Sequence, residues 1–258
     1  MKSLLKNPIV VAGFLLLVLV CVLFNPIIFG GKTFGSSDSL APKAVGIALN
    51  SIQEKTGEFP LWQPWVFSGM PTAEAFTNVS KLYFPDYLSN LFFLPGMIIQ
   101  LLHLLFAGIG GFILLRHFKC SEWAAGLGAV AFMITPYMIT MVVFGHGSQI
   151  MTAAYIPWIL WLTVRLWQNP NSWNTGWLAI LLGFQLQRAH AQIAYYTWLL
   201  IGAYSLLILI NGIRNSEDRS NIGKGFGLFS LACLIGIGIS LLIYLPAMEY
   251  TPFSVRGG

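Results

Sequence analysis

Apolar runs of membrane-spanning length recur along the whole chain, and no other feature of the sequence constrains the fold as strongly. They cover residues 9–29, 91–115, 123–144, 150–166, 193–210 and 226–245, each near the ~20 residues that cross ~30 Å of hydrocarbon. A further run, 176–187, reaches about two thirds of that distance at a ~1.5 Å rise per residue, so it is expected to stop inside the outer leaflet. A single soluble core cannot absorb so many separate runs. Composition agrees, with 56% hydrophobic and 9% charged residues against roughly 25% charged in soluble domains. The expectation is an all-α integral membrane protein of about seven transmembrane helices, forming a single transmembrane domain over 1–258. The first run is too long for the ~7–15-residue core of a signal peptide, and no clean cleavage site follows it. Cys21, Cys120 and Cys233 are too scattered for a disulfide framework or a zinc knuckle, which leaves them as packing residues.

Basic residues set the orientation. With Lys2 and Lys6 inside, the same side collects Arg116, Lys119, Arg165, Arg214, Arg219 and Lys224 on short connections. The other side holds Lys32, Lys43, Lys55, Lys81, Arg188 and Arg256, four of them diluted over the long connection 31–90. The amino terminus is therefore expected in the cytoplasm, and 31–90 outside. The net charge of +5 reports this topology and makes no case for nucleic acid.

The long connection has internal order. Leu40, Ala44, Ile47, Ala48 and Ile52 recur at helical steps, which predicts an amphipathic juxtamembrane helix over 39–55 lying on the membrane surface. In 59–71, Pro60, Pro64 and Pro71 alternate with Trp62, Trp65 and Phe67, predicting a rigid interfacial loop. Tyr83, Phe84 and Tyr87 extend the aromatic belt toward the second span. Asp38 followed by Ser39 has the look of a helix N-cap.

Polar residues cluster on the outer side. Asp38 follows the first span, and Gly145, His146, Gly147, Ser148 and Gln149 join the third to the fourth. Gln185, Gln187, Arg188, His190 and Gln192 fall where the short run ends. Polar groups at such depth face a cavity or the bundle interior, and a wet pocket open to the outside accounts for all three groups. Gln100 and His103, inside the second span, are expected to be packed and hydrogen-bonded. Glycines at 108, 110, 111, 126, 128, 236 and 238 suit close helix packing, and residues 78–80 form a sequon.

Several blocks, in order, carry a family resemblance: FGSSDSL (34–40), FPLWQPWVFSGMP (59–71), YFPDYL (83–88), Gly145 with His146, YIPW (155–158) and QRAHAQIAYY (187–196). Together they resemble the bacterial YfhO-type membrane proteins, related to the GT-C superfamily of lipid-dependent glycosyltransferases. Members are longer, so the chain is expected to be an amino-terminal portion of a GT-C-like architecture in a bacterial plasma membrane. The resemblance implies inverting transfer of a sugar from a polyprenyl-phosphate-linked donor to a glycan or polymer acceptor of the cell envelope. An acidic residue in the first outer loop serves as base, and Asp38 matches that position. Arg188 and His190 are then the candidates to hold the departing phosphate, with His146, Gln149, Gln192 and Arg256 as helpers.

No cofactor is implied. Asp38, His146 and His190 could ligate a divalent metal, but no spacing is a ligand motif. Two other classes fit the same polar pocket: a transporter or flippase of lipid-linked precursors, and a non-catalytic envelope scaffold. Transporters usually show internal repeats and broken helices, and no repeat is visible here.

Overall fold

The computed structural model describes residues 7–65, 68–72, 83–214 and 219–254. Lys2, Lys6, the sequon at 78–80, Lys81 and Arg256 lie outside them. Helices α1 (Pro8–Leu23) and α2 (Asn25–Ile28) lead into α3 (Ser37–Thr56), a hairpin of β1 (Trp62–Gln63) with β2 (Met70–Pro71), and α4 (Phe84–Leu91). The bundle follows: α5 (Gly96–His117), α6 (Glu122–Met133), α7 (Pro136–Val143), α8 (Gly147–Ala154), α9 (Ile156–Gln168), α10 (Ser172–Gln187), α11 (Ala191–Arg214) and α12 (Arg219–Tyr250). A 3-10 turn, Thr251–Phe253, follows α12.

Among the described residues, five helical stretches are long and apolar enough to cross a membrane: Gly96–His117, Glu122–Val143, Gly147–Gln168, Ala191–Arg214 and Ser220–Phe253. The chain is thus an all-α protein of multi-pass membrane character. Helix α1 is apolar but shorter than its run 9–29 predicted, and α10, with 16 residues, is about 24 Å long, longer than the run 176–187 predicted. Two of the five stretches are broken. Pro136 and Pro157 each stand in the first turn of the second half, where a missing N–H costs least and the fixed φ suits a helix start.

Apolar side chains face both inward and outward, as a lipid solvent allows. Leu104, Ala107, Ala129, Met133, Met138 and Ile150 fill one core; Tyr83, Tyr155, Ile159, Leu178, Leu182 and Ile201 fill a second. Phe14, Leu127, Leu234 and Leu242 stand on the outside, each more than half exposed. Helices α10 and α12 pack closely. A Cβ on Gly236 would lie 2.8 Å from Leu182 Cβ and 3.3 Å from both Ala179 O and Gly183 N, and backbone cannot yield as a flexible side chain can. Gly236→Val is expected to cost about 1–3 kcal/mol, read as a lower unfolding midpoint in detergent. Gly238→Ala is the control, because nothing lies within 4 Å of its added Cβ.

The long connection departs from its expected form in two places, the proline-rich segment and Tyr83. Helix α3 forms where the stripe predicts a helix, with Leu40 and Ile47 exposed and Leu49, 2% exposed, turned inward. The proline-rich segment closes into the β1–β2 hairpin, fastened by Thr72 N to Leu61 O at 3.0 Å and by Thr72 Oγ1 to Pro60 O at 2.8 Å. Trp62 and Trp65 are half exposed, but Tyr83 is fully buried and is no interfacial anchor.

Candidate active site at one end of the bundle

Asp38 sits in the first turn of α3, whose cap position is Ser36. The N-cap expected at Asp38 is therefore corrected by two residues. Ser36 Oγ donates to Phe144 O at 2.7 Å, tying the start of α3 to the turn between α7 and α8. That turn reverses at Gly145, whose φ of 82° favours glycine. The result is a pair: Asp38 Oδ2 lies 3.3 Å from His146 Nε2. Asp38 also lines a cavity of about 650 Å³, together with the polar residues Lys32, Lys43 and Gln100 and the apolar residues Ile28, Phe34 and Met97. Residues 108 positions apart in sequence are thereby joined on one face.

The polar run at the end of α10 divides. Gln185 Nε2 donates to Thr152 O at 3.2 Å and to Thr197 Oγ1 at 2.9 Å, and Gln187 Nε2 donates to Ile239 O at 3.0 Å. Both glutamines face the bundle interior. Arg188, 6% exposed, lines neither cavity described here. Its Nη1 donates to Asp86 Oδ2 at 3.4 Å, and its guanidinium lies 4.5 Å over the Tyr83 ring. Arg188 is thus corrected from a phosphate ligand in the pocket to half of a buried ion pair. Burial pushes the Asp86 carboxyl above its ordinary range, and the Arg188 charge pulls it back.

Around this pair runs a directed chain of hydrogen bonds. His103 Nδ1 lies 2.8 Å from Ile99 O, and a carbonyl only accepts, so Nδ1 carries the proton. His103 Nε2 must then accept from the Tyr83 hydroxyl at 2.8 Å, and Tyr83 in turn accepts from the Tyr155 hydroxyl. This fulfils the packed role expected of His103. Burial first, then Tyr155, raises the Tyr83 phenol well above its usual value, keeping it a donor.

Ala189, at φ 55°, makes the left-handed turn that sends its neighbours apart. Arg188 goes inward, whereas His190 reaches a second cavity of about 530 Å³, lined also by Gln149 and Gln192. The turn that carries His146 borders both cavities: Gly145 lines the first and Gln149 the second. Of the expected residues, then, Asp38 and His146 meet in one place and His190, Gln149 and Gln192 in another.

No family model, curated protein or solved structure matches the chain. The chemistry must be argued from the residues themselves. Among the described residues, no three His, Cys, Asp or Glu side chains are grouped to hold a metal, so Asp38, His146 and His190 do not form a triad. Lys32, Lys43 and Asp86 were not singled out from sequence as site residues. The two lysines had entered only the topology count, and Asp86 stood within an aromatic block. Lys32, Asp38 and Lys43, a carboxylate between two cations within twelve residues of one connection, are the signal available.

Proposed function

We propose that the chain is a membrane glycosyltransferase resembling the GT-C enzymes, with about seven spans, a cytoplasmic amino terminus and its site on the outer face of a bacterial plasma membrane. The observation that carries this is the Asp38–His146 pair beside a cavity that combines two lysines with apolar residues. Such a cavity suits a donor that is anionic at its phosphate and apolar in its chain. Asp38 accepts the proton of the acceptor hydroxyl as that oxygen bonds to the sugar's anomeric carbon. The carbon–oxygen bond to phosphate breaks on the opposite face, and polyprenyl phosphate leaves with its charge matched by Lys32 and Lys43. His146 holds the carboxylate in register without taking the proton itself.

The broken stretches at Pro136 and Pro157 favour a second reading, a flippase for lipid-linked precursors, because discontinuous helices line many transport paths. One assay separates them: full-length protein in liposomes with a labelled polyprenyl-phosphate sugar and a glycan acceptor. Transfer of label supports the first reading. Movement of the donor across the bilayer without transfer supports the second.

Topology is tested independently. In a variant lacking Cys21, Cys120 and Cys233, a cysteine replacing exposed Glu58 is expected to react with an impermeant reagent outside intact cells. A cysteine replacing exposed Asn169 is expected to react only after lysis. The reverse pattern would invert the orientation.

A further inference from the structure

The second cavity differs from the first in charge. Thr135, Gln149, His190, Gln192 and Tyr196 supply its polar atoms, Tyr137 and Met138 stand among its apolar lining, and no Lys, Arg, Asp or Glu contributes. The imidazole is neutral by geometry, since Ile193 N donates to His190 Nδ1 at 3.4 Å, leaving Nε2–H as a donor. Burial lowers the His190 pKa in the same sense. Gln192 Nε2 donates to the Tyr196 hydroxyl at 3.2 Å, which leaves the Gln192 carbonyl and the phenolic proton for a ligand. Amides, a neutral imidazole and a phenol each both donate and accept, the pattern that matches hydroxyl groups; phosphate would find no cation here.

The cavity also opens sideways. Tyr137 and Tyr196 are each about half exposed, and both lie in apolar stretches long enough to cross a membrane. A ligand can therefore enter from lipid with its tail left outside. We infer that this cavity seats the uncharged, hydroxyl-rich headgroup of a membrane-embedded amphiphile, a neutral glycolipid in chemical class. This deepens the transferase reading, because the turn from Gly145 to Gln149 borders this cavity and the one that holds Asp38, and it supplies the acceptor side of the reaction. Binding itself requires no transfer.

The test therefore reads binding. Full-length protein in nanodiscs is photolabelled with an alkyl glucoside carrying a diazirine in its sugar portion, and labelled peptides are mapped by mass spectrometry. Label is expected on peptides holding Tyr137 and Tyr196, reduced about tenfold by excess unlabelled alkyl glucoside. Free methyl glucoside should compete at least tenfold less well, which distinguishes a lipid headgroup from a soluble sugar. Gln192→Leu with Gln149→Leu should reduce labelling at least fivefold while leaving the unfolding midpoint within a few degrees. Equal competition by a plain alkanol would show an apolar groove only, and stronger competition by an alkyl phosphate would show an anion site; either overturns the proposal. Labelling that persists in a protein without transferase activity would remove the reaction but keep the site, and loss of labelling with Asp38-dependent transfer intact would do the opposite.

Discussion

Asp38→Asn is expected to lower sugar transfer by about 100- to 10,000-fold, the range supplied by a positioned general base. The amide keeps the size of the carboxylate and can still meet His146 Nε2 as an acceptor, so the cavity should persist; what it lacks is the ability to take a proton. The loss should fall on turnover, with donor affinity changed little, because Lys32 and Lys43 remain in place. Steady-state transfer by the full-length protein, with donor binding measured separately, checks both parts. Retention of full turnover would remove Asp38 from the mechanism and leave its pairing with His146 as a loop clasp.

Arg188→Ala is expected to destabilise the fold by about 3–5 kcal/mol, because it strands a buried carboxylate beside apolar side chains. Asp86→Ala should cost a similar amount for the converse reason. Replacing both, Asp86→Leu with Arg188→Met, should recover much of the loss, since an apolar pair removes two desolvation penalties together with their attraction. Unfolding midpoints in one detergent decide it. Single variants within about 1 kcal/mol of wild type would mean that water reaches the pair, contrary to its 8% side-chain exposure.

Five spans were legible because lipid imposes one rule on every turn of a crossing helix; the run 9–29 instead breaks, with Pro26 in the first turn of α2. The short α10 was legible for the same reason, from the twelve apolar-rich residues of 176–187. Partners of polar side chains were not legible. Gln185, Gln187, Arg188, His190 and Gln192 share one stretch of eight residues, and hydropathy gives them a common depth but no direction. At a single left-handed residue, Ala189, the three before it are left facing inward and the two after it toward a cavity, and alanine carries no signature of that conformation. Likewise, Asp38 and His146 could be assigned to one side from basic-residue counts, but their contact depends on Ser36 reaching Phe144 O. Tyr83 was misplaced because a tyrosine beside a span fits an interfacial belt as well as a buried donor.

The Asp86–Arg188 pair joins groups 102 residues apart. Synthesis runs from the amino terminus, so the carboxylate is made several helices before its guanidinium. Before α10 is made, Tyr83 can already meet His103 and Tyr155, but the ion pair of Asp86 with Arg188 cannot form. Completion of α10 and its turn is therefore the step at which the segment bearing Asp86 gains its charged contact, making that contact a late event in the protein's biogenesis.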